Sequence, residues 1–340
     1  MIAASPHKGQ PATPDLLAPP AWRAELAAAV TDARELCALL ELDPERAGVA
    51  DTAFPVRVPR AYVARMRRGD YTDPLLRQVL GTRAELQPAE GYGSDPLDEA
   101  AVRKAPGLIQ KYAGRALLIT TAACGVHCRY CFRREFPYDE HQGDGARWQA
   151  ALEALAADTS ISEVILSGGD PLSLSDARLR ALTERLRGMA HVRRLRIHTR
   201  QPVVLPSRVD AGLLGWLRQL PWPCAIVLHA NHANELDAAV HQACAALRDT
   251  GATLLNQSVL LAGVNDSVEA LGCLSEALWD AGVLPYYLHL LDRVRGASHF
   301  EVGEARALAL LGGLRARLPG YLVPRLAREV PGAAAKIVLA

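Results

Sequence analysis

Two rhythms of apolar and polar positions divide this chain. Over 21–110, apolar residues recur three and four apart and are interrupted by proline, as in AWRAELAAAVTDARELCALL and PRAYVARMRRG. That spacing predicts amphipathic helices, and so a helical N-terminal region. From about residue 115 short β-like runs take over, at 116–121, 163–167, 194–199, 224–229, 253–259 and 285–290. Amphipathic stretches separate them at 146–157, 176–189, 210–220, 233–250 and 267–281, and a further helix is expected at 302–318. One strand and one helix about every 30 residues is the size of a βα unit in a parallel sheet. Six such units predict an α/β fold, a partial (β/α)6 barrel, with a doubly wound open sheet as the alternative that periodicity does not separate. In both, ligands bind where the parallel strands end at their C-termini, so the residues just past each strand are the ones to inspect. The chain then divides into a flexible tail over 1–20, the helical region over 21–110, the (β/α)6 core over 111–300, and a C-terminal helix with a short closing segment over 301–340.

Composition narrows the class. Half of the 340 residues are apolar and 22% are charged, as in a soluble globular protein. A net charge of +1 argues against a strong electrostatic hold on nucleic acid or membrane. The first residues lack the apolar centre of a signal peptide, and runs such as ALLITTAA fall short of the roughly 20 residues that span a bilayer. A cytoplasmic location is the expectation. Of seven cysteines, three crowd into eight residues, which in a reducing compartment reads as metal ligation or thiol chemistry and not as a disulfide framework. Cys37, Cys224, Cys244 and Cys273 are scattered and are expected to be plain buried thiols.

The clustered cysteines follow the first β-run directly. In AACGVHCRYCFRR, Cys124, Cys128 and Cys131 are spaced C-x3-C-x2-C. Thiolates are the ligands of iron–sulfur clusters, and three of them hold three irons of a [4Fe–4S] cubane while leaving the fourth open. Zinc is the main rival, with His127 as the fourth ligand, but His127 is adjacent to Cys128 and no second CxxC pair exists. A redox dithiol of Cys128 and Cys131 is the other. The second β-run ends in LSGGDPL, where Gly168 and Gly169 leave the backbone open to close ligand approach. Lysine is scarce: the chain has only Lys8, Lys104, Lys111 and Lys336, and arginine supplies its other cations.

This cysteine spacing, with the glycine turn after the second strand, resembles the radical S-adenosylmethionine superfamily. Within it, YCFRREF, LSGGDPLSL, HTRQPVVLPSRV, HANHANE, LLAGVND and YYLHLLD, in that order over about 105–300, resemble the lysine 2,3-aminomutase family. The resemblance implies a radical-SAM barrel, a [4Fe–4S] cluster on Cys124, Cys128 and Cys131, S-adenosyl-L-methionine, and pyridoxal 5'-phosphate on Lys336. It implies that Gly168, Gly169 and Asp170 form the turn that holds the methionine moiety, that His229 and Gln257 lie near S-adenosylmethionine, and that Arg115 anchors the pyridoxal phosphate group. Arg133 matches the residue that grips the substrate carboxylate, a task suited to a guanidinium fork. Asp292 and Glu329 match two acids that bind the distal ammonium of lysine, with Glu where the family has Asp. After Lys336 the tail IVLA lacks the threonine and proline usual there. The implied activity is conversion of L-lysine to β-lysine, with an electron donor as partner. The likeness is greatest to the shorter branch that supplies (R)-β-lysine, through a separate ligase, for modifying elongation factor P. The alternatives are an aminomutase for another amino acid such as glutamate, against which the acidic pair speaks, and a non-catalytic iron–sulfur or zinc binding protein.

Overall fold

The computed structural model describes residues 20–138 and 145–340, so the expected tail lies outside the described residues but for Pro20. Ten strands form one sheet in chain order: β1 (Arg103–Ala105), β2 (Leu108–Tyr112), β3 (Arg115–Thr121), β4 (Glu163–Gly168), β5 (Arg194–Thr199), β6 (Cys224–Leu228), β7 (Thr253–Val259), β8 (Leu284–His289), β9 (Arg325–Arg328) and β10 (Ile337–Val338). All six expected strands are there, as β3 to β8, each parallel to the next. The sheet is open between β1 and β10, which makes the fold a partial (β/α)6 barrel extended by an antiparallel hairpin at each edge.

The helices are α1 (Ala21–Ala27), α2 (Ala33–Leu39), α3 (Arg60–Val63), α4 (Pro74–Arg77), α5 (Gly145–Ala157), α6 (Asp176–Arg187), α7 (Gln201–Val204), α8 (Ala211–Arg218), α9 (Ala238–Arg248), α10 (Val268–Asp280) and α11 (Glu304–Arg315). Ser175, Asp210, Asp237 and Ser267 cap α6, α8, α9 and α10 by accepting a backbone N–H at the first turn. The Asp237 cap also explains why the helix expected over 233–250 is broken: Ala233–Glu235 is a separate tight turn, and α9 starts anew behind Asp237.

Strand alternation sorts the side chains. Ala116, Leu118, Val164, Leu166, Leu195, Ile197, Ile226 and Leu228 face outward and form the main core with the covering helices. Their neighbours Arg115, Leu117, Ile165, Ser167, Arg196 and His198 line an inner cavity. The N-terminal region packs its own core of Trp22, Val30, Leu36, Tyr62, Leu75 and Leu76, onto which Val126 and Cys128 of the cysteine loop settle. Its helices are shorter than the periodicity suggests, because Val30 pairs with Val58 as a β-bridge and Asp32 restarts the chain as α2. β1 and part of β2 fall inside 21–110, the stretch read as helical; LIQKY is too short and too polar to announce a strand. Two cysteines depart from expectation. Cys224 is half-buried and Cys273 is exposed, because Cys273 lies on α10 away from the buried Leu271, Leu274 and Leu278.

Candidate active site

The cysteine loop leaves the C-terminal end of β3 and is tied down on the side away from the sheet. His127 N–H donates to Arg57 O and Arg129 N–H to Gln78 O, both at 2.9 Å. The Arg129 side chain is fully buried and meets Glu85 through two hydrogen bonds of 2.6 Å. His127 stacks on Phe54 and its Nδ1 lies 2.9 Å from Pro55 O. Among the described residues no three His, Cys, Asp or Glu side chains form a group able to hold a single metal ion. Cys124, Cys128 and Cys131 are free thiols, all lining the cavity. Burial first, and then the neighbouring Cys128, raise the Cys131 thiol to about 11. Such a group becomes a thiolate only beside positive charge, which cluster iron supplies.

The glycine turn at the end of β4 is sewn to this loop. Gly169 N–H donates to Thr121 O at 2.7 Å and Asp170 N–H to Ala123 O at 2.8 Å. A Cβ on Gly169 would lie 2.4 Å from Ala123 O, and one on Gly168, at φ +125°, would lie 2.6 Å from Thr121 O. The glycines thus let two backbones touch. Gly168 O accepts from Tyr138 OH at 2.9 Å. Asp170 also borders the cavity, but its carboxylate is engaged within the protein: it accepts from Leu172 N–H, Thr199 OH, Arg200 N–H and Gln201 N–H. Its contact role is to lock the ends of β4 and β5 together.

A second charged cluster occupies the far part of the same cavity. β9 and β10 pair Arg328 with Ile337, which sets Glu329 and Lys336 side by side, and their side chains form an ion pair. Lys336 Nζ also lies 5.5 Å from the centre of the Tyr287 ring. Glu329 is 3.4 Å from Lys111 Nζ, Lys111 is 3.0 Å from Glu99, and Glu99 holds Arg133 through bonds of 2.7 and 2.8 Å. Burial opposes the charge on both acids, but Arg133 with Lys111 brings Glu99 to about 2, and Lys336 with Lys111 brings Glu329 to about 2. Asp292 has no such close cation among the described residues: burial and then Glu329 push its carboxyl up to about 7. Arg115 reaches the cavity with its guanidinium 4.8 Å over the Tyr112 ring. Arg133 reaches it too, but its fork faces Glu99 and its remaining nitrogen lies 3.1 Å from Ser167 Oγ.

The cavity measures about 340 Å³ and is lined by all the expected site residues. Between the cysteines and Lys336 stand His198, His229, Gln257 and His289. Burial first, and then nearby cations, lower His229 to about 4; burial and then Lys336 lower His289 to about 3. His198 Nε2, His229 Nε2 and Gln257 Nε2 are buried without a partner among the described residues. Unpaired buried polar atoms are costly, so their convergence on one cavity fits a polar ligand that completes them. Sequence reasoning did not assign Glu99, Lys111, His198 or His289. The histidines had a signal, since each sits at the C-terminal end of a parallel strand; Glu99 had none, lying in irregular chain.

Residues 113–198 match the 4Fe-4S single cluster domain family. The chain is 48% identical over 322 residues to the L-lysine 2,3-aminomutase of Escherichia coli, covering 94% of this chain and 94% of that protein. It is 43% identical to the L-lysine 2,3-aminomutase of Haemophilus influenzae, with 92% and 93% covered. It is 34% identical to that of Clostridium subterminale, covering 93% of this chain and 76% of the relative. The partial barrel with a cysteine trio past its first parallel strand defines a radical S-adenosylmethionine enzyme. Within that class the chain belongs to the lysine 2,3-aminomutase family.

Proposed function

We propose that the protein is an isomerase that moves the α-amino group of L-lysine to the β-carbon, using a [4Fe–4S] cluster, S-adenosylmethionine and pyridoxal phosphate. The observation that carries this reading is one cavity with three cysteines at one end and Lys336, Glu329 and Asp292 at the other. When bound, the cluster and S-adenosylmethionine supply a carbon radical, and pyridoxal phosphate supplies the conjugated group through which nitrogen migrates. Cys124, Cys128 and Cys131 are assigned to the cluster, and Gly168, Gly169, Asp170, His229 and Gln257 to the S-adenosylmethionine pocket. Lys336 is assigned to the pyridoxal aldehyde, Arg115 to its phosphate, and Arg133 to the substrate carboxylate. Asp292 and Glu329 take the distal ammonium. Glu329 pairs with Lys336 and with Lys111; committing Lys336 to the cofactor would free one of these two pairings for the substrate's own ammonium. Two acids here would repel the side chain of glutamate, and a purely binding protein has no need for both clusters in one cavity.

The reading is tested by anaerobic turnover with reductant, S-adenosylmethionine, pyridoxal phosphate and L-lysine. β-Lysine is the expected product; rearrangement of glutamate or another amino acid, with lysine untouched, would refute the substrate assignment. We further propose a cytoplasmic protein served by an electron donor, whose (R)-β-lysine passes to a ligase that modifies elongation factor P. Supporting the choice of branch, the chain is 48% identical to the Escherichia coli relative but 34% identical to the clostridial one. Among the described residues no helix is long and apolar enough to cross a membrane.

A further inference from the structure

One buried cation has no part in the assignments above. Arg200 follows β5, and its backbone N–H donates to Asp170 Oδ2 at 2.7 Å, so the glycine turn that touches the cysteine loop also fixes where this arginine starts. Its guanidinium is buried and runs back under the loop. Nη1 lies 2.7 Å from Cys128 Sγ and 2.5 Å from Tyr130 OH. Nη2 donates to Gln78 Oε1 at 2.7 Å, to Glu235 Oε2 at 2.8 Å and to Tyr62 OH at 3.2 Å. Glu235 is itself held by Gln78 Nε2 and by the N–H groups of Asn231 and His232. The arrangement is an ion pair locked in place, with its positive end against a cysteine sulfur. A guanidinium has no acceptor, so the sulfur takes the hydrogen bond. The other two cysteines stand differently: among the described residues neither sulfur receives a guanidinium hydrogen bond, the Arg133 and Arg134 charges acting on Cys131 and the Arg57 charge on Cys124 without one.

We propose that Arg200 is a positioning residue that sets the reduction potential of the cluster through the Cys128 sulfur, and that Glu235 moderates it. This rests on the reading of Cys128 as a cluster ligand. Reduction adds one electron to the cluster and its sulfurs. A fixed hydrogen-bond donor and positive charge stabilise the reduced form more than the oxidised one, and hydrogen bonds to the sulfurs are among the terms that set such potentials. Because Arg200 is held at both ends and buried, it does not have to reorganise when the electron arrives. The tertiary structure brings it to Cys128 from 72 residues away in the chain.

The test is a redox titration, followed by electron paramagnetic resonance, of anaerobically reconstituted full-length protein without S-adenosylmethionine. Arg200→Gln is expected to make one-electron reduction about tenfold less favourable, a fall of roughly 59 mV. Arg200→Lys keeps the charge without the fork and should fall between variant and parent. Glu235→Gln leaves the arginine less neutralised and should shift the potential the opposite way, upward. Unchanged potentials in Arg200→Lys and Glu235→Gln, with iron content equal to the parent, would overturn the proposal even if Arg200→Gln does not fold. Cys128→Ala separates the underlying reading: full cluster content in that variant removes Cys128 as a ligand, whereas loss of the cluster there with unmoved potentials in the other variants defeats the Arg200 proposal alone.

Discussion

The two ends of the cavity are held in different ways. At the cysteine end, backbone hydrogen bonds join the loop to β4 and to the N-terminal region, and the buried pairs Arg129–Glu85 and Arg200–Glu235 lock its underside. At the lysine end, a two-residue strand with Ile337 and Val338 exposed carries Lys336. There the fixing contacts are side-chain ion pairs linking Lys336, Glu329, Lys111 and Glu99. The difference follows the tasks proposed for each end. A cluster site presents one unchanging set of ligands and gains from being built rigid before the cluster arrives. A lysine that must leave a carboxylate partner to hold a carbonyl cofactor gains from contacts that can be exchanged.

The largest effects should break the ends apart. Replacing Cys124, Cys128 or Cys131 with Ala is expected to remove the cluster and all turnover, while borohydride reduction in the presence of pyridoxal phosphate still labels Lys336 on peptide mapping. Lys336→Ala should abolish turnover equally but leave iron content at the parental value; loss of iron there would show that the ends are not independent, and a label on Lys104 or Lys111 in the parent would overturn the Lys336 assignment.

Stability measurements sharpen the comparison further. Gly169→Ala forces a Cβ to within 2.4 Å of Ala123 O, a backbone atom that cannot swing aside. A loss of about 2–3 kcal/mol in chemical denaturation is expected, within the usual cost of overpacking. Gly332→Ala, in the turn before Lys336, meets nothing within 4 Å and carries only the strain of φ +75°. Its cost should be nearer 1 kcal/mol. Equal losses at the two positions would contradict the contrast between a packed loop and an open turn.

A pH dependence of stability is expected from Asp292 at the lysine end. Burial and then Glu329 raise Asp292 to about 7, with Lys111 and Lys336 opposing and Glu99 adding to the rise. A carboxyl raised on folding is protonated in the folded protein at pH values where the unfolded chain, near 3.9, is already ionised. Its contribution is therefore present below about pH 4, declines as pH rises towards 7, and is flat above that. Asp292→Asn should remove this slope, and above pH 7 should be more stable than the parent in thermal or urea unfolding, by up to about 4 kcal/mol for a carboxyl raised from near 3.9 to about 7. An unaltered slope in the variant would show that Asp292 is ionised throughout.

Much of the framework was legible in the chain alone. The six parallel strands followed from apolar runs at regular spacing, and the inner cavity was foreshadowed in β5, where Leu195 and Ile197 alternate with Arg196 and His198. The cysteine spacing indicated a cluster because three thiolates in eight residues are a local arrangement, set by sequence distance. The edge hairpins were not legible: RLAR and IV are too short to show a period, and they are strands only because β8 offers β9 an edge and β9 in turn offers one to β10. Nor could Glu99 or Arg200 be assigned. Local pattern determined the strands, the caps and the cysteine loop, since each depends on residues a few positions apart. Only the tertiary structure decided that Glu99 meets Arg133, that Glu329 meets Lys336 and Lys111, and that Arg200 reaches Cys128, because a buried charge has no periodic signature and acquires its partner only when distant elements pack together.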